Sequence, residues 1–468
     1  MIINELLFHI DKNSPIPRYV QVYKKIKKEI MEGKIPPNSK LPSIRNLADA
    51  LNLSRNTTQL AYEQLLAEGF VRSESKRGYF VERLPIDNYS TSSIKVNFQQ
   101  TVKSPSKDMI DFRLGAVDEE HFPLDRWRIL SNRILKDSSI YTYGDHQGDP
   151  LLRESIAKYL YQSRGVNASA DQIIVGSNTQ QLLFLLCLLL KNQFHSIAFE
   201  EPGYQGAKEV FRQLGFDIES IPVNCDGLQL QTLEKANSKL VYVTPSHQFP
   251  LGMIMPIHNR LALLNWAEKQ DGYIIEDDYD SEFRYKQKPI PAMFSLNNNE
   301  RVIYIGSFSK ALLPSIRIGY LVLPNSLLKN YKKIKLLFEQ SASNIHQRTL
   351  HYFIEEGAWG VHINKMRSIY KKKMIKIKEV MQQYTPPSIK LSDTTLGMHI
   401  ILKIHTSKTE DELIELAAQH HIKVYKTSIY YETPNVNTGF VQLMLGFAGL
   451  TEFEIEKGLK TLMRIYKD

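Results

Sequence analysis

Between residues 17 and 81 the apolar positions repeat three times at helical spacing and then alternate. Val22, Ile26 and Ile30 recur every four residues and predict a first helix over 18–31, ended by Gly33 and Pro36-Pro37. Ser43 stands where a cap belongs, ahead of a short helix carrying Leu47, Ala50 and Leu51. Ser54 caps a third helix, with Leu60, Ala61, Leu65 and Leu66 expected to face inward and Gly69 to stop it. Phe70-Val71 and Tyr79-Phe80-Val81 predict two short strands around the turn SESKRG.

Residues 84–108 lose this periodicity and are rich in Ser, Thr, Asn and Gln, the composition of an exposed linker. From 109 onward short apolar runs alternate with helical stretches. Runs at 172–175, 196–200, 240–244, 273–276, 302–306 and 318–323 predict buried parallel strands. The apolar stretch 182–190 is about half the length needed to cross a bilayer and is expected to be a buried helix. Three segments follow: 1–83, a linker at 84–108, and an α/β domain at 109–468. The last has a large part at about 140–325 and a smaller α+β part at about 326–468.

Composition sharpens this division. Up to Arg83 there are 14 Lys and Arg against 9 Asp and Glu, a net of +5 out of +9 for all 468 residues. A small basic domain suits a polyanionic partner, because phosphate contacts supply much of DNA affinity. The two cysteines, Cys187 and Cys225, have no metal-ligand spacing, so no metal is expected. Their scarcity and the absence of a basic, apolar leader in MIINELLFHIDKN point to a soluble cytoplasmic protein with no membrane partner.

In KLPSIRNLADALNLSRNTTQLAYEQLLAEGFV two predicted helices meet at Asn52-Leu53. The second opens with Ser54, Arg55, Asn56, Thr57 and Thr58, polar residues suited to phosphates and base edges at a recognition-helix N-terminus. Lys76 and Arg77 fall at the hairpin tip. The stretch resembles the winged helix-turn-helix of the GntR family. That resemblance implies that Arg45, Arg55, Thr57, Thr58 and the wing Lys76-Arg77-Gly78 contact double-stranded operator DNA, with Ser54 and Asn56 beside them. Ser43-Ile44-Arg45 stands where the family often has Ser-Ser-Arg, and Gly78-Tyr79 where it has Gly-Thr.

A second constellation lies in GSFSKALLPSIRIGY, where Ser307, Ser309 and Lys310 follow a predicted strand and Arg317 comes seven residues later. An amine on such a loop suits a Schiff base, and hydroxyls with an arginine suit a phosphate monoester. IIEDDYDSEF puts Asp277 at a strand end, where a carboxylate can pair with a protonated pyridine nitrogen. VGSNTQQLL puts Ser177, Asn178 and Thr179 at a strand-to-helix turn, and EEPGYQG puts Tyr204 after another strand. In this order, and with TPSHQFPLG, the motifs resemble fold-type I aminotransferases and most closely the MocR/GabR subfamily of GntR regulators. The resemblance implies pyridoxal 5′-phosphate bound through Lys310, with Asp277 on the ring nitrogen, Tyr279 on the ring hydroxyl and Tyr204 stacked. It implies a phosphate held by Ser177, Asn178, Thr179, Ser307, Ser309 and Arg317, with His247 and Gln248 lining the ring. It also implies a homodimer in which Tyr143 reaches the partner's phosphate.

One expected feature is missing. Aminotransferases of amino acids grip the substrate carboxylate with a C-terminal arginine, but the matching stretch QLMLGFAG has Met444, and no arginine occurs from 368 to 463. Nor does one follow Tyr204, where Gln205, Gly206 and Ala207 stand. Lys423 and Lys426 are the candidate substitutes. The favoured reading is a transcription regulator whose aminotransferase-like domain senses pyridoxal phosphate or a reactive amine. The alternatives are an active aminotransferase with an accessory DNA-binding domain, and a cofactor-free dimerisation domain.

Overall fold

The structure, a computed structural model, describes residues 10–11, 14–84, 109–285, 290–296, 300–392, 396–432 and 439–467. The expected linker lies, from residue 85 on, outside them. The chain divides into two compact units, Met1–Val102 and Lys103–Asp468.

In the first unit α1 (Arg18–Met31), α2 (Ile44–Ala50) and α3 (Arg55–Ala67) are followed by the hairpin β1 (Val71–Glu74) and β2 (Gly78–Val81). The strands pair antiparallel with Val71 opposite Val81. Ser43 and Ser54 cap α2 and α3, their Oγ atoms accepting from Asn46 N at 3.1 Å and Thr57 N at 3.2 Å. Asn52, at φ 55°, turns the chain between these helices. The core gathers Val22, Ile26, Ile30, Leu47, Tyr62, Leu65, Val71 and Val81. Two helix faces differ from the apolar pattern along the chain. Ala48, not Ala50, is buried in α2. In α3 the buried face is Thr58, Ala61, Tyr62 and Leu65, while Leu60 and Leu66 are exposed. Leu60 and Ala61 are adjacent, so one turn cannot bury both sides of the helix against a small core.

The second unit opens with β3 (Ile110–Asp111), α4 (Leu124–Ile134) and α5 (Pro150–Arg164). Its large sheet contains β4 (Ile173–Gly176), β5 (Ser196–Glu201), β6 (Asp217–Asn224), β7 (Gly227–Leu228), β8 (Leu240–Val243), β9 (Tyr273–Asp278), β10 (Val302–Ser307) and β11 (Gly319–Val322). Their order is β4-β11-β10-β9-β8-β5-β6-β7. The expectation of parallel strands fails for β11, which runs antiparallel to both β10 and β4. The short connection from β10 allows that reversal, whereas a parallel crossover needs a helix. Two strands, β6 and β7, carry no clean apolar run; β6 alternates near the sheet edge and so escapes a search for fully buried strands.

Helix α6 (Thr179–Leu190) buries Leu182, Leu183, Leu186 and Leu190 in one core cluster with Ile197, Phe199, Ile275 and Ile303. A second cluster joins Leu263, Leu264 and Trp266 of α7 (Ile257–Lys269) to Val241, Val243 and Ile274. The strands are therefore apolar on both faces, as in a sheet with a helical layer on each side.

The smaller part contains α8 (Asn344–Glu355), α9 (Ala358–Tyr384), β12 (Ile389–Leu391), β13 (His399–His405), β14 (Ile422–Lys423), β15 (Tyr425–Lys426), β16 (Phe440–Gly446) and α10 (Glu452–Ile465). Its sheet runs β12-β13-β16-β15. β3 pairs in parallel with β14, Ile110 opposite Ile422, so the start of this unit belongs with its C-terminal part. This is the fold-type I aminotransferase architecture, joined in one chain to a winged helix-turn-helix.

Candidate functional site

β5, β8, β9 and β10 run parallel, and β4 shares their direction because β11 opposes both of its neighbours. Their carboxyl ends therefore lie along one edge, where open α/β sheets place ligands. Asn178 follows β4, Tyr204 follows β5, Thr244 follows β8, Asp277 is the last residue but one of β9, and Ser307 ends β10 just before Lys310. These residues line one pocket of about 290 Å³, together with Thr179, Tyr279, Ser309 and Arg317. Leu114, Gly115, Gln180 and Phe249 complete the lining. None of those four stood out in the sequence; Gln180 was signalled only by its neighbour Thr179, and Leu114-Gly115 come from a loop far away in the chain.

Lys310 and Arg317 are the cations of this lining, and among the described residues neither makes an ion pair. Lys310 Nζ lies 4.1 Å from the centroid of the Tyr279 ring and 5.9 Å from that of Phe249. Burial pushes its amine below the usual lysine range, against the opposing pull of Asp280 and Asp277. Burial also pushes Asp277 up to about 6, although the Tyr242 hydroxyl donates to its Oδ2 and Lys310 pulls it down. Arg317 takes a left-handed backbone, φ 53° and ψ 54°, between a short helical turn and β11. Asn178 caps α6 by accepting from Gln181 N at 3.0 Å. The N–H groups of Thr179 and Gln180, first in the helix, have no intrahelical acceptor. Two unpaired cations, free helix-end amides and a buried carboxylate form a donor set that fits a phosphorylated pyridine aldehyde.

Glu200 lies behind the pocket, with Oε2 accepting from Thr244 N at 3.1 Å and Thr244 Oγ1 at 2.7 Å. Burial outweighs these bonds and raises it to about 7. A buried ion pair, Arg164 Nε to Asp278 Oδ2 at 2.7 Å, braces β9 from the other side. Arg164 also borders a separate cavity of about 750 Å³ with Tyr159, Glu282 and Arg367, which does not include Lys310.

Several expected residues fall elsewhere. Ser177 adjoins the pocket, with Oγ accepting from Asn178 Nδ2 at 3.2 Å, but does not line it. His247 and Gln248 are corrected: both are buried one layer behind. His247 Nδ1 faces Asp280 and the Tyr279 hydroxyl, and Gln248 Nε2 donates to Pro202 O and Phe249 O, each at 2.8 Å. The loop turns them away because Phe249 occupies the pocket side, edge-on to Tyr204 and Tyr279. Tyr143 is 87 % exposed and outside the chain's own pocket. Lys423 and Lys426 do not reach the pocket either; they face Asp111 at 3.8 Å and Asp411 at 2.5 Å. Met444 is buried in β16 opposite Ile401.

On the first unit, Arg45, Arg55, Asn56 and Lys76 are exposed and Thr57 is half-buried. Arg55 makes no ion pair among the described residues, while Arg45 lies 3.9 Å from Asp49. Ser54 Oγ is engaged with Thr57 Oγ1 at 2.8 Å as well as capping α3. Arg77 Nη1 pairs with Glu74 at 2.5 Å, and its guanidinium lies over Phe80. Gly78, at φ 107°, closes the hairpin turn. Thr58 is corrected: it is completely buried, on the same stripe as Ala61 and Tyr62, and presents no side chain to a groove.

Two family models divide the chain as the two units do. The model described as bacterial regulatory proteins, gntR family, matches residues 18–81, and aminotransferase class I and II matches 107–462. A probable rhizopine catabolism regulatory protein, MocR, from Rhizobium meliloti is 32% identical over 97% of this chain and 94% of its own length. The chain belongs to the MocR branch of the GntR transcription regulators. Other proteins it resembles include an uncharacterised HTH-type transcriptional regulator, YdeL, of Bacillus subtilis, 39% identical over 98% of both chains. The pyridoxine biosynthesis regulator PdxR of Corynebacterium glutamicum is 27% identical over 93% of this chain and 94% of its own. The crystal structure of an archaeal alanine:glyoxylate aminotransferase superposes with a TM-score of 0.71 at 26% identity, covering 77% of this chain and 91% of the other. In this MocR-type regulator the helix-turn-helix implies DNA binding, and the second unit has an aminotransferase fold. Among the described residues no helix is long and apolar enough to cross a membrane.

Proposed function

We propose that this regulator binds pyridoxal 5′-phosphate through Lys310 and uses its aminotransferase-like unit as a sensor that sets operator affinity. One observation carries the reading: Lys310 and Arg317 are both unpaired in a pocket that holds Asp277 and no third cation among its lining residues. When bound, the cofactor supplies an aldehyde that condenses reversibly with amines. Burial lowers the pKa of the Lys310 amine, which eases loss of its proton when it acts as a nucleophile. Asp277 offers a carboxylate to a protonated ring nitrogen, and that pairing would draw its raised pKa back down. Arg317, Ser307, Ser309 and the first amides of α6 are suited to the phosphate, with Ser177 supporting Asn178. Tyr204 and Phe249 supply apolar walls and keep water out.

The missing third cation argues against transamination of ordinary amino acids as the main task, because a carboxylate has no bidentate partner. The effector is then pyridoxal phosphate itself or an amine without that requirement. The resemblance to a regulator of pyridoxine biosynthesis supports the first choice. A homodimer would let the exposed Tyr143 reach the partner's phosphate, and residues 84–108 would act as the tether between the DNA-binding and sensing domains. Such a protein works in the cytoplasm.

An effector shifts operator affinity only by its differential affinity for the two states. The test is operator affinity of cofactor-free and cofactor-loaded protein, repeated with glutamate, GABA and alanine. A cofactor effect with no further change from an amine supports sensing of pyridoxal phosphate. Equal affinities, with a large shift from one amine, reject it in favour of an amine sensor. Turnover of an amino-acid and keto-acid pair at ordinary aminotransferase rates rejects the sensor reading as a whole.

A further inference from the structure

Behind the pocket, one imidazole nitrogen serves three oxygens. His247 Nδ1 lies 3.0 Å from Asp280 Oδ1, 2.9 Å from Asp280 Oδ2 and 3.0 Å from the Tyr279 hydroxyl. A ring nitrogen carries at most one proton, so these contacts compete. Asp280 is 2 % exposed. Burial pushes it up, but His247 and Lys310 outweigh that and hold it below the usual carboxylate range. It is therefore an acceptor only, and among the described residues His247 is its only donor. Leaving it without one would cost the desolvation of a buried charge.

The proton consequently sits on Nδ1 and points at Asp280. Nδ1 then has no lone pair for the Tyr279 proton. Among the described residues Tyr279 has no other partner, and burial keeps its hydroxyl protonated. The pocket, which Tyr279 lines beside Lys310, is where that proton can be given.

The surroundings protect this arrangement. The neighbouring His399 ring, 5.3 Å from His247, faces Pro250 O at 3.0 Å. Burial pushes His399 down to about 3, so it is neutral and does not compete for Asp280. The other charges felt by Tyr279 are Asp277, Asp278 and Glu200. Gly397, at φ 75°, closes over the pair: a Cβ there would lie 2.1 Å from His247 Cε1 and 2.9 Å from Asp280 Oδ2.

We propose that Asp280 and His247 are a positioning pair that fixes Tyr279 as an obligate hydrogen-bond donor into the pocket, toward an ionised ring hydroxyl beside Lys310. The ligand half of this statement rests on the reading of Lys310 as the pyridoxal phosphate lysine; the hydrogen-bond direction does not. Two measurements separate them.

The first uses cofactor-free, full-length protein labelled with ¹⁵N-histidine, with the His247 signals assigned by loss in His247→Gln. Nδ1 is expected to be protonated; an unprotonated Nδ1 overturns the proposal whether or not the variants fold. The second follows the pH midpoint of the absorbance change of the cofactor-loaded protein. Tyr279→Phe removes the donor and is expected to raise the midpoint by about one unit, tenfold in the equilibrium. Asp280→Leu removes the acceptor and so frees Nδ1 to accept from Tyr279; it also raises the midpoint, but not in the Tyr279→Phe background. Loss of the Asp280 charge by itself would lower the midpoint, by weakening the cationic state at Lys310. A fall, no change, or equal shifts in both backgrounds therefore overturns the proposal. If wild-type protein shows no cofactor band and no borohydride-trapped adduct, the Lys310 reading and the ligand half fall together, while the histidine spectrum still decides the pair.

Discussion

Thr58 gives the sharpest contrast between family pattern and structure. Its side chain is completely buried, and its Oγ1 has no hydrogen-bond partner among the described residues. A buried hydroxyl without a partner costs about 1–3 kcal/mol in desolvation. Thr58→Val keeps the shape and removes the hydroxyl, and the two residues have similar helix propensity. Most of that cost should be recovered, so we expect stabilisation by about 1 kcal/mol. The three tryptophans, Trp127, Trp266 and Trp359, all lie in the second unit, so their fluorescence does not report on α3. Hydrogen exchange of full-length protein does, in a peptide spanning Arg55–Ala67. Since 1.4 kcal/mol is a tenfold change, 1 kcal/mol means about fivefold slower exchange through global opening of the unit. Operator affinity should stay within about twofold, because a group turned into the core cannot read a base or a phosphate. Unchanged protection together with an affinity loss of about 1 kcal/mol or more would refute the reasoning and return Thr58 to the DNA surface.

Lys310→Ala should abolish both the cofactor absorbance band and the borohydride-trapped adduct; persistence of either would remove Lys310 from its role. Arg55→Ala should cost about 1–3 kcal/mol on the operator in a gel-shift titration if Arg55 reads a base. Lys76→Ala should weaken all sequences alike and flatten the salt slope by about one. Glu200 has a folded-state pKa of about 7, above its ordinary 4.5, so the cofactor-free fold holds more protons than the unfolded chain between these values. Its contribution is present at low pH and is lost as pH rises through about 7. Urea titrations of the cofactor-free protein should show that downward slope, and Glu200→Gln should flatten it. Arg164→Met leaves Asp278 buried without its partner. The variant should lose about 3–5 kcal/mol in urea unfolding, and a loss below about 1 kcal/mol would mean that Tyr304, which donates to Asp278 at 2.5 Å, suffices.

Local features were legible along the chain. Ser43 and Ser54 cap the helices they were expected to cap, because a cap is decided by a side chain and an amide three residues away. The six apolar runs became strands of the large sheet, because fully buried strands must be apolar on both faces. Lys310, Asp277, Tyr204, Asn178 and Arg317 were visible as motifs because each sits at, or next to, the end of a strand whose own signal is strong.

Chain direction and orientation were not legible. An apolar run looks the same whichever way it runs, and only the short connection from β10 makes β11 antiparallel. Thr58 and Leu60 exchange their expected faces because helical phase is fixed by what the helix packs against, not by the polarity of a single residue. His247 and Gln248 lie beside the right strand end but turn away, since Phe249 takes the pocket face and Asp280 holds the imidazole. Leu114 and Gly115 enter the pocket from a loop more than sixty residues ahead of Asn178, and no local pattern encodes so distant an approach. The sequence by itself determined which strand ends line the pocket; tertiary packing decided which side chains at those ends face it and which stand behind it.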